Sequence, residues 1–347
     1  MDSTGVPEAT APDGESQQEL ERSILRWATG EADVDVAAAQ ADVHRLLLAL
    51  SSGTVRAAHK ENGEWRAVEW VKQGILLAFR IGRTREFPAT PASYFDKDTL
   101  PLRDTRGVEE NIRIVPGGSS VRSGAFLGSN VIIMPPAFVN IGAFVDRDTM
   151  IDSHALVGSC AQVGQRVHLS AGAQLGGVLE PVGLRPVIIE DEALIGGNVG
   201  VFEGTLVEER AVLAPGVQLT SSTTVYDLVR ERTYRASPGQ PLTIPAGAVV
   251  VPGSRRAGGQ FALEHAIQLY APIIVKYRDA STDAATALEQ RAIADLTAEG
   301  FKQGDIALAR SLDVRYQGQS FELPVDWPPG ATHERVADAF HAEHEAR

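Results

Sequence analysis

The sequence of 347 residues is 44% apolar and 22% charged, a composition typical of a globular chain large enough for about two domains. Its formal charge of −13 argues against a nonspecific nucleic acid binder, and no apolar stretch approaches the roughly 20 residues of a membrane span. The single cysteine excludes a disulfide framework, and the acidic N-terminus lacks the features of a secretory signal, so we expect a cytoplasmic protein.

The first part of the chain predicts a disordered tail followed by a small helical domain. Residues 1–18 are rich in Pro, Gly, Ser, Thr and acidic side chains, which is typical of a disordered tail. Apolar residues recur at helical spacing over residues 19–50, and Asn62-Gly63 between two short apolar runs predicts a hairpin. The apolar residues 70–81 fit either a helix or a buried strand. Residues 19–107 therefore form the predicted α-rich N-terminal domain, which ends in a linker from Pro88 to about Gly107.

The middle of the chain, residues 108–256, repeats every six residues. From Val115 each sixth residue is aliphatic as far as Leu175; the pattern resumes from Ile189 to Val225 and again at Ile244 and Val250. The fifth position of each hexad is small or β-branched. A helix repeats at about 3.6 residues and a strand at about 2, so neither explains this period. A hexapeptide repeat predicts a mainly β fold, a left-handed parallel β-helix in which about 18 residues complete one triangular turn.

Two interruptions break the repeat, at residues 176–187 and 230–242. Because the residues of the first interruption cannot stay in register with the coil, we expect that loop to project from it, where solenoids usually carry specificity. Residues 257–347 form a predicted C-terminal extension of strands and helices. Within it, Gln268 to Tyr277 predicts a buried strand and Thr282 to Leu296 a helix.

The stretch from Val139 to Pro181 resembles the core of the tetrahydrodipicolinate N-succinyltransferases. The resemblance rests on the blocks VNIGA, TM-x-D, VGSCAQ-x-G, VHLS and GGVLEP, and further along on VIIED, VVVPG and IIVKYRD. It implies a homotrimer with active sites between neighbouring prisms. It also implies transfer of a succinyl group from succinyl-CoA, as co-substrate, to the amine of ring-opened tetrahydrodipicolinate in lysine and diaminopimelate synthesis. No permanently bound cofactor is implied.

The resemblance assigns roles to two residues of the coil. Asp152, in the TM-x-D block, matches the family aspartate that contacts the substrate amine, and we expect it to accept the amine's proton. The alternative is a corner aspartate that bonds a turn backbone, since Asp146 holds the same place one hexad earlier. Arg113 matches the arginine that binds a substrate carboxylate, with a surface ion pair as the alternative. Asp146, Asp148 and Asp152 lack the glycine and terminal glutamate of a calcium loop, so we predict no metal site.

Further candidates lie in the first interruption and beyond the coil. Glu180 is placed either to orient the amine or to cap a turn, and Arg185 is a second candidate for binding a substrate carboxylate. Arg255, Arg256 and Lys276 are candidate partners of the CoA phosphates, although scattered basic side chains are usually solvated.

Two residues, His168 and Cys160, are of types that often act in catalysis, but we expect both to have structural roles. Some hexapeptide acyltransferases of other families use a histidine base, but His168 is expected to pack or hydrogen-bond. Cys160 has no obvious activating base, and the reaction needs no thiol, so we expect a small buried side chain.

The sequence departs from the family pattern at two places. Asn198, Val199 and Gly200 stand where the family form carries Arg-Ser-Glu, although Glu203 keeps its place, and His154 stands where the family often has Trp. These departures leave open a paralogous N-acyltransferase that uses another acyl-CoA and an amino-acid-like acceptor. A non-catalytic β-helical subunit is a third hypothesis.

Overall fold

The chain divides into two compact units. The first extends to Arg278 and the second begins at Asp279. None of the described helices combines the length and apolar composition that a membrane span requires. The computed structural model describes these residues: 14–30, 35–88, 93–278, 297, 311–314, 323–326 and 337–342.

Three helices form a layer at the N-terminal side of the first unit, and a short fourth helix follows the coil. The helices are α1 (Gly14–Thr29), α2 (Val36–Ser51), α3 (Glu69–Ile81) and α4 (Gln260–Glu264). The predicted apolar stripes are buried, as Ile24 of α1 and Leu46 of α2 illustrate. The segment that fitted helix or strand is the helix α3, because Val71, Ile75 and Ala78 lie on one helical face and pack against the other two helices. The predicted tail was too long, since α1 already begins within it.

Two hairpins accompany the helices. They are β1 (Ala58–Glu61) with β2 (Glu64–Ala67), and β3 (Thr84–Phe87) with β4 (Tyr94–Lys97). The first was predicted from Asn62-Gly63, and both residues have the positive φ of a two-residue hairpin turn. The second was missed: β4 lies in the segment that we expected to be a linker.

The coil consists of short strands stacked in three parallel sheets, which are its faces. The first face contains β5 (Arg113–Ile114), β8 (Ile132–Ile133), β11 (Met150–Ile151), β14 (His168–Leu169), β17 (Leu194–Ile195), β20 (Val212–Leu213) and β25 (Ala248–Val251). The second face contains β6 (Ser120–Val121), β9 (Phe138–Val139), β12 (Leu156–Val157), β15 (Gln174–Leu175), β18 (Gly200–Val201) and β21 (Gln218–Leu219). The third face contains β7 (Phe126–Leu127), β10 (Phe144–Val145), β13 (Gln162–Val163), β16 (Ile188–Ile189), β19 (Leu206–Val207) and β24 (Thr243–Ile244).

The predicted aliphatic positions form the axis of this coil, which confirms the parallel β-helix. Ile133, Ile151 and Leu169 pair in register one turn apart, and each is fully buried. The small fifth positions, such as Ala155 and Ala173, are buried as well. Each branched side chain removed from water contributes about 1.5–3 kcal/mol, so stacking the turns stabilises the whole coil.

Two predicted members of the repeat lie outside it. Val115 is half-buried, and the residue that aligns with Ile133 is Ile114. The first turn therefore spans 19 residues, from Ile114 to Ile133, whereas the next spans 18, from Ile133 to Ile151. Val225 is buried, but its strand pairs with a strand from beyond the coil, so the second interruption begins about ten residues earlier than predicted.

The remaining strands belong to the second interruption, to the segment beyond the coil and to the second unit. They are β22 (Val225–Asp227), β23 (Arg232–Tyr234), β26 (Ser254–Arg256), β27 (Gln268–Tyr270), β28 (Ile273–Tyr277), β29 (Ser311–Val314) and β30 (Leu323–Asp326). The expected single strand from Gln268 to Tyr277 is wrong: it is two strands separated at Pro272, and β27 is exposed. Because β28 pairs with β25, the predicted boundary at residue 257 cuts through the first unit. The predicted helix at 282–296 lies outside the described residues.

The three faces have different surroundings. Four of the six outward side chains of the third face are buried, namely Phe144, Gln162, Ile188 and Leu206. The first hairpin covers part of this face through Trp65. Ile141 and Cys160, at the edge between the second and third faces, belong to the core of the helical layer. The outward rows of the first and second faces remain partly exposed.

Candidate active site

We name the edges of the coil by the faces that they join. The first edge joins the first and second faces, the second edge joins the second and third faces, and the third edge joins the third and first faces. The backbone turns at these edges, usually with one residue at positive φ: Gly142, Asp148 and His154 are three successive examples. Both interruptions leave the coil at the second edge, because one follows β15 and the other follows β21.

Asp152 lies on the first edge, directly after β11. Its backbone N–H donates to Leu169 O at 2.9 Å, and its Oδ1 accepts the N–H of Ser153 at 2.7 Å. Asp146 accepts the N–H of Arg147 in the same way, also at 2.7 Å, so the corner role that we weighed is real for both aspartates. Since that role uses one oxygen only, Oδ2 of half-buried Asp152 has no partner within the described part of the chain. It is therefore available to a ligand.

Arg113 lies at the start of the coil on β5. Its side chain is exposed and points outward from the first face, since the inward position of β5 belongs to Ile114. No described carboxylate lies within ion-pair distance, so the structure does not support the alternative of a surface ion pair. β5 and β11 are two strands apart, which corresponds to about 10 Å along the stack. A small dicarboxylate or amino diacid can span such a distance.

The first interruption is anchored at two consecutive residues. The ammonium of Lys72, which is fully buried in α3, donates to Leu184 O. The guanidinium of Arg185 donates to Gly204 O from Nε at 3.1 Å and Nη2 at 3.0 Å. Burial lowers the pKa of Arg185, against smaller opposing effects of nearby carboxylates. Arg185 thus ties the loop to the coil, and its role toward a substrate carboxylate stays a prediction. Glu180, in the same loop, is exposed and has no polar contact with any described residue.

Glu203 was not among the site residues predicted from the sequence. It lies on the second edge between the two interruptions and has positive φ. Its carboxylate accepts the N–H of Ser221, and hydrogen bonding to Ser221 lowers its pKa, so the group stays ionised and fixed. Counting hexads along the sequence places Glu203 at the same edge as both interruptions, and this position could have identified it as a candidate site residue.

The candidates occupy two different edges of one chain. Arg113 and Asp152 lie on the first face and first edge, whereas Glu180, Arg185 and Glu203 lie on the second edge. The second face separates the two groups, so a single copy does not bring the carboxylates together.

His168 and Cys160 have packing positions. His168 lies on the first face between Met150 and Leu194, and its buried Nε2 has no hydrogen-bond partner in the described ranges. Cys160 is fully buried, and burial raises the pKa of its thiol to about 12. A thiol that stays protonated at neutral pH is not a nucleophile, in agreement with the sequence prediction.

The three basic candidates for CoA binding lie beyond the coil on exposed surface. Arg255 and Arg256 are on β26, and Lys276 is on β28, opposite Val249 of the coil. The segment that contains the two arginines, residues 254–270, exposes apolar side chains, among them Phe261 at 68% and Leu263 at 60%. A cavity of about 300 Å³ opens there, lined by Arg256 and Leu263. Within the described ranges, no His, Cys, Asp or Glu side chains gather as a metal centre would require.

Two parts of the chain match family models of known proteins. Residues 17–81 match the family model described as tetrahydrodipicolinate N-succinyltransferase N-terminal, and residues 186–221 match the hexapeptide repeat of succinyl-transferase. A relative from Azoarcus sp., named 2,3,4,5-tetrahydropyridine-2,6-dicarboxylate N-succinyltransferase, is 42% identical over 79% of this chain and 98% of its own length. The chain belongs to this family. Proteins of the same name from Shewanella pealeana and Sodalis glossinidius are 44% and 40% identical, over 75% and 77% of this chain and 90% and 93% of theirs.

Membership confirms the resemblance that the hexad motifs predicted, and with it the acyltransferase class. The matched N-terminal region corresponds to α1 through α3, so the helical layer is part of the family architecture.

Proposed function

We propose that this chain transfers the succinyl group of succinyl-CoA to the amine of ring-opened tetrahydrodipicolinate, giving N-succinyl-2-amino-6-oxopimelate and CoA. Family membership supports the reaction class. The observation that carries the assignment to a site is the carboxylate of Asp152, which keeps one oxygen free at a half-buried edge.

The chemistry needs few groups. The substrate amine attacks the thioester carbonyl, the C–N bond forms, and collapse of the tetrahedral intermediate breaks the C–S bond and releases CoA. Asp152 accepts the proton that the amine loses, and that proton can pass to the departing thiolate. Arg113 binds a carboxylate of the acceptor through its planar fork. A carboxylate from the second edge, either Glu180 or Glu203, orients the amine; the fixed position of Glu203 favours it for this task.

We propose that the active unit is a homotrimer with sites between neighbouring copies. Two observations support it. The candidates of one chain lie on two edges that a second copy would join, and the outward rows of the first and second faces carry partly exposed apolar side chains. Those side chains are Ile132, Met150, Leu194, Phe138 and Leu156. Light scattering should give about three times the 37.1 kDa mass of one chain, and a monomer at working concentration would contradict the proposal.

The phosphates of CoA are assigned to Arg255, Arg256 and Lys276, because all three are exposed and Arg256 lines the cavity beyond the coil. Replacing Arg256 by Glu should raise KM for succinyl-CoA and leave KM for the acceptor unchanged. Equal effects on both KM values would reject this assignment.

The direct test is thiol release from succinyl-CoA with tetrahydrodipicolinate or 2-aminopimelate as acceptor. Asp152→Asn should lower kcat by about 10²–10⁴-fold, the usual contribution of a general base. Asp148→Asn is a matched control, because Asp148 is also a corner aspartate and bonds the amide of Asn130 at 2.9 Å. It should retain activity. A loss below about tenfold in Asp152→Asn would reassign the proton acceptor.

A second acceptor or acyl donor is favoured by one feature of the first edge. Asn198 lies on the same edge as Asp152, two turns away, where the family form carries Arg. At Gly200, where the second face begins beside this edge, the side chains of Gln218 and Phe202 occupy the space that a Cβ would take. Mass spectrometry of products from a panel of acyl-CoA donors and amino acids distinguishes the two reactions. A calorimetric titration with CoA that shows no binding would favour the non-catalytic hypothesis instead.

The cytoplasmic location stays a prediction.

A further inference from the structure

A polar cavity lies away from both candidate edges, between the first hairpin and the third face and edge of the coil. Its volume is about 230 Å³, smaller than the usual pockets for drug-sized ligands. Its lining includes Arg56, Lys60, Trp65 and Gln162 together with four carboxylates. The proposed reaction uses none of these residues.

Arg56 enters this cavity in a fixed orientation. Its Nε donates to Gln162 Oε1 at 3.0 Å, and its guanidinium carbon lies 3.6 Å from the centroid of the Phe144 ring. Gln162 is itself 1% exposed, and its amide donates to Cys160 O at 2.8 Å. The two terminal nitrogens of Arg56 have no hydrogen bond or ion pair with any described residue. A guanidinium held at its stem and stacked on a ring, with both outer nitrogens free, presents a fork that matches a carboxylate.

The lining of the cavity also carries carboxylates whose charge is only partly neutralised. Glu190 accepts from Lys60 Nζ and from Trp65 Nε1, each at 2.7 Å, so this carboxylate is satisfied. Asp191 accepts from the side-chain amide and backbone of the adjacent Gln165. Those bonds come from neutral donors, and the nearby positive charge of Arg56 balances the charge of Asp191 only in part, because Arg56 also interacts with Asp146.

Two further carboxylates remain open. Asp146 uses one oxygen for a backbone N–H, and the Glu209 carboxylate has no partner among the described residues. Together the lining carries four carboxylates, Asp146, Glu190, Asp191 and Glu209, against two cations, Arg56 and Lys60.

We propose that this cavity binds a small α-amino acid with a cationic side chain. The ligand's carboxylate pairs with the fork of Arg56, and its ammonium groups face Asp146, Asp191 and Glu209. The four carboxylates would repel a dianion, and an uncharged molecule would leave the charges of the cavity uncompensated. A ligand with one negative and two positive charges matches the excess of carboxylates, and the volume suits one amino acid.

The test is isothermal titration of the full chain with L-lysine as probe, in the absence of any substrate. L-Norleucine has the same carbon chain without the terminal ammonium, and 1,5-diaminopentane lacks the carboxylate. We expect L-lysine to bind at least about tenfold more tightly than either, which corresponds to about 1.4 kcal/mol. Equal affinity for the three compounds, or no binding of any of them, would overturn the proposal.

Three variants locate the binding. Arg56→Lys keeps the charge but removes the fork, and should weaken L-lysine binding at least about tenfold. Glu209→Gln, on the exposed rim, should weaken it severalfold with little risk to folding. Glu192→Gln is the control, because Glu192 follows Asp191 but pairs outside the cavity with Arg166 at 2.8 Å. L-Lysine binding that survives both cavity substitutions would lie elsewhere and overturn the proposal. If Arg56→Lys fails to fold, Glu209→Gln and the comparison of L-lysine with L-norleucine and 1,5-diaminopentane still test the proposal.

Discussion

Replacement of Leu169 by Ala should destabilise the coil strongly, because this side chain lies on the axis. Leu169 is 0% exposed and pairs in register with Ile151 and Ile195 in the turns on either side. Removing three carbon atoms forfeits about 2.5 kcal/mol of burial at about 0.8 kcal/mol per carbon. The neighbouring strands are held in their sheets and cannot close the gap, so the cavity that remains raises the expected loss to about 3–5 kcal/mol.

The measurement is guanidinium unfolding followed by circular dichroism, at one fixed protein concentration. Leu48→Ala in α2 is the matched control, since the same three carbons are removed from a side chain that is 39% exposed. We expect it to lose less than about 1 kcal/mol. A Leu169→Ala variant that unfolds at the same midpoint as the control would refute the assignment of the sixth positions to the axis.

Three further predictions concern the contact between the helical layer and the coil. Because burial raises the pKa of Cys160 to about 12, its thiol should resist a thiol reagent in the native protein and react once the chain is unfolded; rapid native reaction would contradict the burial. Burial also lowers the pKa of Lys72 in the folded chain below its ordinary value of 10.5. At pH values between the lowered pKa and 10.5, the unfolded chain therefore binds more protons than the folded chain. The stability of the wild type relative to Lys72→Met should therefore rise with pH across that window, as denaturant titrations at several pH values can check. Gly142→Ala should cost about 1–3 kcal/mol more than Gly63→Ala, since both have positive φ but only the first would place a Cβ 2.9 Å from Cys160 Sγ and from a side chain of α3. Equal melting temperatures would contradict this.

The coil could be predicted from sequence because its interior has the same shape in every turn. Each inward position must therefore be aliphatic, and the period of six appears without any knowledge of long-range contacts. The error at Val115 has the same origin: one inserted residue shifts the register, and an aliphatic side chain at the wrong position still fits the pattern. The interruption after β15 was predicted well because its residues break the repeat.

Contacts between distant segments could not be predicted in this way. Arg56 and Gln162 are 106 positions apart, and Lys72 and Leu184 are 112 apart, so no local spacing reveals that they meet. Asp227 is buried and accepts from Tyr277 at 2.6 Å across the end of the coil, again without a signal in either segment. Such pairs depend on how the helical layer and the interruptions pack onto the coil.

Motifs proposed the members of the candidate site, and the family resemblance implied a site between neighbouring copies, but the sequence did not show which edge of the coil carries each residue. Motifs mark Asp152 and Arg113, whose catalytic and binding roles stay predictions, but the sequence alone does not assign them to an edge different from that of Glu180. That assignment requires counting strands around three faces. It leads to the central claim that the site is completed by a second copy.

Mixed oligomers test that claim most directly. One parent carries Asp152→Asn, and the other carries Glu180→Gln together with Glu203→Gln; each alone should be nearly inactive. After joint unfolding and refolding in equal amounts, a site is intact when the first edge comes from one parent and the second edge from the other, which occurs in about one quarter of sites in a closed trimer. We therefore predict recovery of up to about a quarter of wild-type activity. A mixture that is no more active than its parents would contradict the claim that two copies complete one site.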